Sequence, residues 1–97
     1  DTRLRRQEEM LQKRLTISSA QYRQMLAAIR RRASEIARKY QLDSAVLPPL
    51  RTAIRQDTVS RWHVKDLHDL PESMLPEALA GINTWDSYST IRKLRQR

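Results

Sequence analysis

Ser18-Ser19-Ala20-Gln21-Tyr22 opens the segment that decides how this chain folds. Ser18 followed three positions later by Gln21 reads as a capping box. The serine hydroxyl can accept from the Gln21 amide, and the glutamine side chain can reach back to the Ser18 N–H. Ile17 and Tyr22 stand at the two positions of a hydrophobic staple. Beyond the box, Tyr22, Met25, Leu26, Ile29, Ala33, Ile36, Ala37 and Tyr40 recur in steps of three and four. That spacing traces one face of a helix about six turns long. Arg23, Arg30, Arg31 and Arg38 project from the opposite side, and Glu35 is the helix's one acid. Successive side chains stand about 100° apart on a helix. The run Arg30-Arg31-Arg32 therefore points three ways, with Arg32 at the edge of the apolar face, where its stem can pack.

Working outward, Pro48-Pro49 ends that pattern and starts another helix, because proline is tolerated in a first turn whose N–H groups have no partner. Leu50, Ala53, Ile54, Val59 and Trp62 form its buried side. His63 to Leu70 reads as a connector with Val64, Leu67 and Leu70 inward. A further helix opens near Leu70-Pro71-Glu72-Ser73, with Ser73 as its expected cap, Pro76 in its first turn, and Leu75, Ala78, Leu79 and Ile82 on its apolar face. After a turn at Asn83–Asp86, Asp86 or Ser87 caps a last short helix with Tyr88, Ile91 and Leu94 inside. On the other flank, residues 1–15 are polar with a thin line of Leu4, Leu11 and Leu15, which fall at d, d and a of a heptad frame. That line suits a coiled-coil arm for self-association. Two heptads are marginal alone, so a longer coil is expected upstream in a parent protein, and the chain, lacking an initiator Met, is expected to be a fragment or a processed product. The expected architecture is all-α: a coiled-coil-like arm over 1–15, then a bundle of about four helices over 16–97. No alternation runs long enough for a strand.

Composition narrows the function. The 97 residues make room for one domain. Leu, Ile and Val number 21 and Phe is absent, a thin core that favours a partner or self-association. No cysteine means no disulfide, no thiolate metal site and no cysteine nucleophile, and it fits a reducing cytosol. The one glycine, Gly81, excludes both the Gly-rich phosphate loops and a glycine-dependent nucleophile elbow. No apolar run reaches the roughly 18 residues of a membrane span. The net charge of +8 is uneven: residues 1–40 carry +7, residues 41–91 carry −3 and residues 92–97 carry +4.

Candidate chemistry is sparse. His63 and His68 lie five apart, which is not the i,i+3 or i,i+4 spacing of a helical zinc site. Ser60, His63 and Asp66 are sequence neighbours, but a triad is a matter of geometry. Asp69 and Glu77 read as acids near helix starts. No metal, cofactor or catalytic set is expected. The basic face of Arg23, Arg30, Arg31 and Arg38 is the candidate partner-binding surface. Four cations without an interleaved aromatic make a generic phosphate surface rather than a base reader. The gap from Gln41 to Leu47 exceeds a helix-turn-helix turn. Association with an acidic protein is the first reading, direct DNA binding by the arginine face the second, and RNA or another role the remainder, beside the plain reading of any charge run as a solvated helix face.

Two sets of residues carry a resemblance. One is Ile17-Ser18-Ser19, Gln21 and the run Leu26-Ala27-Ala28-Ile29-Arg30-Arg31-Arg32-Ala33. The other is Lys65-Asp66-Leu67-His68-Asp69-Leu70-Pro71 followed by Glu77-Ala78-Leu79 and Trp85. Over residues 16–85 the chain resembles the C-terminal helical domain of bacteriophage antirepressors and related phage regulatory proteins. Where those domains often place an aromatic-Gly pair before the connector, this chain has Trp62-His63, without glycine's freedom to take positive φ. The resemblance implies a phage or prophage regulator in the cytoplasm of a bacterial host. Any DNA recognition would lie in an N-terminal module, and the helical piece would form a homo-oligomer or hold a partner such as a phage repressor.

Overall fold

The computed structural model describes residues 16–95, so the predicted arm with Leu4, Leu11 and Leu15 lies outside the described residues. Among the described residues four helices follow one another: α1 (Ser19–Lys39), α2 (Leu47–Arg61), α3 (Leu75–Asn83) and α4 (Tyr88–Arg95). The all-α expectation holds. Among the described residues extended pairing is limited to one antiparallel bridge, Thr16 with Pro71, beside which the Ile17 N–H donates to the Leu70 carbonyl at 3.0 Å.

α1 begins as its sequence dictates. Ser18 Oγ accepts from the Gln21 amide at 3.2 Å, and Gln21 Oε1 accepts from the Ser18 amide at 2.8 Å. Its buried residues are Met25, Ala28, Ile29, Ala33, Ile36 and Ala37. Ala28 lies outside the predicted stripe. The buried arc is wider than one stripe because α1 packs against α2 on one flank and α3 on the other. α1 is thus the spine of a core completed by Ile17, Leu50, Ile54, Leu67, Leu70, Leu75, Ala78, Ile82 and Ile91.

α2 and α3 start alike. Each has a single 3-10 turn before it (Ser44–Val46, Glu72–Met74) and a Leu-Pro opening, and neither has a side-chain cap. Ser73 therefore sits inside the 3-10 turn instead of capping α3. The prolines remove N–H groups that would lack partners, which makes a cap less necessary. In α4, Ser87 rather than Asp86 occupies the cap, its carbonyl accepting from the Ile91 amide at 3.0 Å. Tyr88 does not face inward: it is 67% exposed. Tyr88 and Leu94 are six residues apart, about 120° around a helix. α4 turns its Ile91–Leu94 side to the core and leaves Tyr88 out.

Two bends are made without glycine. Gln41 and His63 both have φ of 55°. After α1, the Gln41 N–H donates to the Arg38 carbonyl and the Leu42 N–H to that of Ala37. After α2, the His63 N–H donates to Ser60 and the Val64 N–H to Val59. Both are Schellman motifs, in which the left-handed residue satisfies the last carbonyls of the helix. The turn at Trp62-His63 thus takes the positive φ that its sequence argues against.

Candidate functional site

The arginines of α1 fall into place from helix geometry. The buried arc holds one half of the helix, and Arg23, Arg30, Arg31 and Arg38 are all exposed on the other. They are not equivalent. The side chains of Arg23, Arg30 and Arg38 make no hydrogen bond or ion pair to another described residue. Arg31 is tied down: its Nη2 donates to Asn83 Oδ1 at 2.9 Å and its Nε lies 3.8 Å from Glu35. Arg32, next along, has turned inward with its side chain 16% exposed. Its Nε donates to the Trp85 carbonyl at 2.8 Å, and its Nη1 lies 3.4 Å from Glu35. The three consecutive arginines thus point to α2, to α3 and to the α3–α4 corner.

Arg30 leans over the seam between α1 and α2, where it meets two arginines that the sequence reading missed. A cleft of about 300 Å³ there is lined by Leu26, Ile29, Arg30, Arg51, Thr52 and Arg55. The lining brings three arginines together beside Leu26, Ile29 and Thr52, with no acid among them. Arg51 keeps both terminal nitrogens open, its Nε donating to the Leu47 carbonyl at 3.3 Å. Arg55 is shared with Asp66 through a 3.1 Å contact. A signal was available: Arg51 and Arg55 are i,i+4 and follow directly on Leu50 and Ile54, so they stand on one edge of the buried side.

The acidic segment is partly engaged within the chain. Asp57 accepts from the Trp85 indole N–H at 2.7 Å, and Asp66 accepts from Arg55. Asp86 accepts from Lys39 Nζ at 2.6 Å and from the Tyr40 hydroxyl at 2.8 Å. The hydrogen bond to Lys39, then that to Tyr40, holds the Asp86 carboxyl below the usual carboxylate range. The same contact raises Lys39 and Tyr40 above their ordinary values. This knot fastens the end of α1 to the entry of α4.

The other candidates do not converge. Ser60 and His63 are exposed and make no side-chain hydrogen bond with each other or with Asp66. His68 stacks on Tyr22 with ring centroids 3.6 Å apart. Among the described residues no three His, Cys, Asp or Glu side chains group as metal ligands, and no helix is long and apolar enough to cross a membrane. Comparison with known protein families, with curated proteins and with solved structures finds no match.

Proposed function

We propose that this chain is a non-catalytic interaction module. It forms a homo-oligomer and holds an acidic protein such as a repressor, within a phage or prophage regulator of the antirepressor type acting in the bacterial cytoplasm. The observation that carries the reading is the outer face of α1. Arg23, Arg30 and Arg38 are exposed and uncompensated on a helix whose other side is the core of the domain. Charge left unpaired on a rigid element speeds encounter with an opposite surface. The resemblance over residues 16–85 supplies the regulatory setting, and the leucine line Leu4, Leu11 and Leu15 the means of self-association.

Sedimentation velocity and stopped-flow association test the reading together. The full chain should sediment as a dimer or larger at micromolar concentration. Its association with itself or with a repressor should be slowed at low salt by Arg23→Glu with Arg38→Glu, and the difference should shrink as salt screens exposed charges over about 8–10 Å. A clean monomer whose arginine variants behave like the parent overturns the proposal. Sub-micromolar binding of random duplex DNA at physiological salt, with a steep salt slope, would replace it with the DNA-binding reading.

A further inference from the structure

The cleft between α1 and α2 is the point at which the basic face becomes a shaped site. At about 300 Å³ it is at the small end of ligand pockets, which run from roughly 300 to 1,000 Å³. That is room for one or two side chains rather than a large cofactor. Its floor is aliphatic: Ile29 is buried and Leu26 half-buried. Its rim is cationic, with Arg30 from α1 facing Arg51 and Arg55 from α2. Arg30 has no partner among the described residues, and Arg51 leaves its terminal nitrogens free. A bare anion would satisfy the rim and leave the floor wet. A nucleic-acid strand would offer phosphates to the rim, but a base would find no aromatic surface on which to stack.

We infer that this cleft takes one turn of an acidic amphipathic helix from the protein partner, seating an aliphatic side chain on Leu26 and Ile29 with carboxylates on either side paired to Arg30 and Arg51. The inference rests on the proposed acidic partner and adds its anchor point. It belongs to the helix-in-groove class of recognition, in which residues at i, i+3 and i+4 act as anchors. Arginine suits the rim because its planar fork meets a carboxylate bidentately. Arg55, already shared with Asp66, adds to the field more than to the contacts.

The test uses the full chain and a fluorescein-labelled synthetic peptide of about 18 residues, long enough to hold some helix in water. Its leucines follow three-and-four spacing and its remaining positions are mostly glutamate. A second peptide has the same composition in scrambled order, and a duplex DNA of equal charge is the third probe. Fluorescence anisotropy should show the patterned peptide bound more tightly than the scrambled one. Arg30→Gln and Arg51→Gln should each weaken it roughly tenfold or more, the effect of losing a charge-assisted hydrogen bond. Leu26→Gln should also weaken it, with circular dichroism confirming that each variant is folded. Arg23→Gln and Arg38→Gln, on the wider basic face, should weaken it less than either cleft arginine, and Arg92→Gln, exposed on α4 away from both, should change it little. Equal binding of the scrambled peptide overturns the cleft while leaving the wider acidic-partner reading standing. So does a loss confined to Arg23→Gln and Arg38→Gln. Failure of both peptides with tight binding of the DNA overturns both readings.

Discussion

Gln41 and His63 hold left-handed backbone that glycine would hold more cheaply. The left-handed region costs an ordinary residue roughly 1–2 kcal/mol. Glycine avoids that but loses about 0.5–1 kcal/mol more in ordering the chain. Both side chains are exposed and make no hydrogen bond to a described residue, so nothing else is lost on replacing them. Gln41→Gly and His63→Gly should each raise stability by up to about 1 kcal/mol, read as a higher urea midpoint with unchanged slope; a fall at either position would show a side-chain role there. These bends escaped the sequence because the usual signal, a glycine, is missing. The backbone hydrogen bonds that compel them are visible only once the helix ends are placed. Beside Gln41, where Lys39 and Tyr40 end α1, the depressed pKa of Asp86 makes a second prediction. The folded chain binds this proton less tightly than the unfolded one. The stabilisation is therefore present above the ordinary carboxylate value of about 3.9 and lost as pH falls through the lower folded value. Asp86→Asn should destabilise by up to about 1 kcal/mol at pH near 7, as exposed ion pairs do, and the gap to the parent should close in strong acid. A gap of equal size at both pH values would show that the charge plays no part.

At the scale of the element, α1 was the most legible part of the chain. Its capping box, its start and most of its buried face follow from residue types and spacing. Ile36 is fully buried, and Ile36→Ala should cost about 2–5 kcal/mol; Ser18→Ala, at the cap, should cost about 1 kcal/mol. Thermal or urea unfolding gives both, and a loss under about 0.5 kcal/mol at Ile36, typical of surface changes, would contradict its place in the core. What spacing could not give was Ala28, because one-dimensional periodicity does not say that a helix has neighbours on two flanks. Arg51 and Arg55 were hidden for a related reason: a cleft belongs to two helices, and each helix alone reads only as having a polar edge. In α3, Gly81 is a helix-interior glycine whose absent Cβ would stand 3.3 Å from Arg61 Nη1. That nitrogen ends a flexible, exposed side chain and can move by a few tenths of an ångström. Gly81→Ala should then recover most of the roughly 1 kcal/mol that glycine costs in a helix. A net loss of stability would mean that the guanidinium is anchored against α3.

In the whole molecule, polar ties run from α1 to distant parts of the chain: Gln21 to Glu72, Arg31 to Asn83, Arg32 to Trp85 and Lys39 to Asp86. With Arg95 reaching the Tyr40 carbonyl at 3.2 Å, they lash later elements along the length of the first. Described residues 16–95 should therefore unfold as one unit. Fluorescence of Trp62 and Trp85 and far-ultraviolet circular dichroism should give the same urea midpoint; an earlier fluorescence transition would show that the α3–α4 corner opens on its own. None of these ties could be read in advance, since each joins residues more than forty positions apart. The bridge of Thr16 with Pro71 has a mechanical consequence. The chain enters the domain fastened at two places, to the first turn of α1 and, through the Ile17 N–H, to the connector that leads into α3. A pull applied at Thr16 is therefore shared between the spine and that connector instead of falling on the first turn of α1 alone.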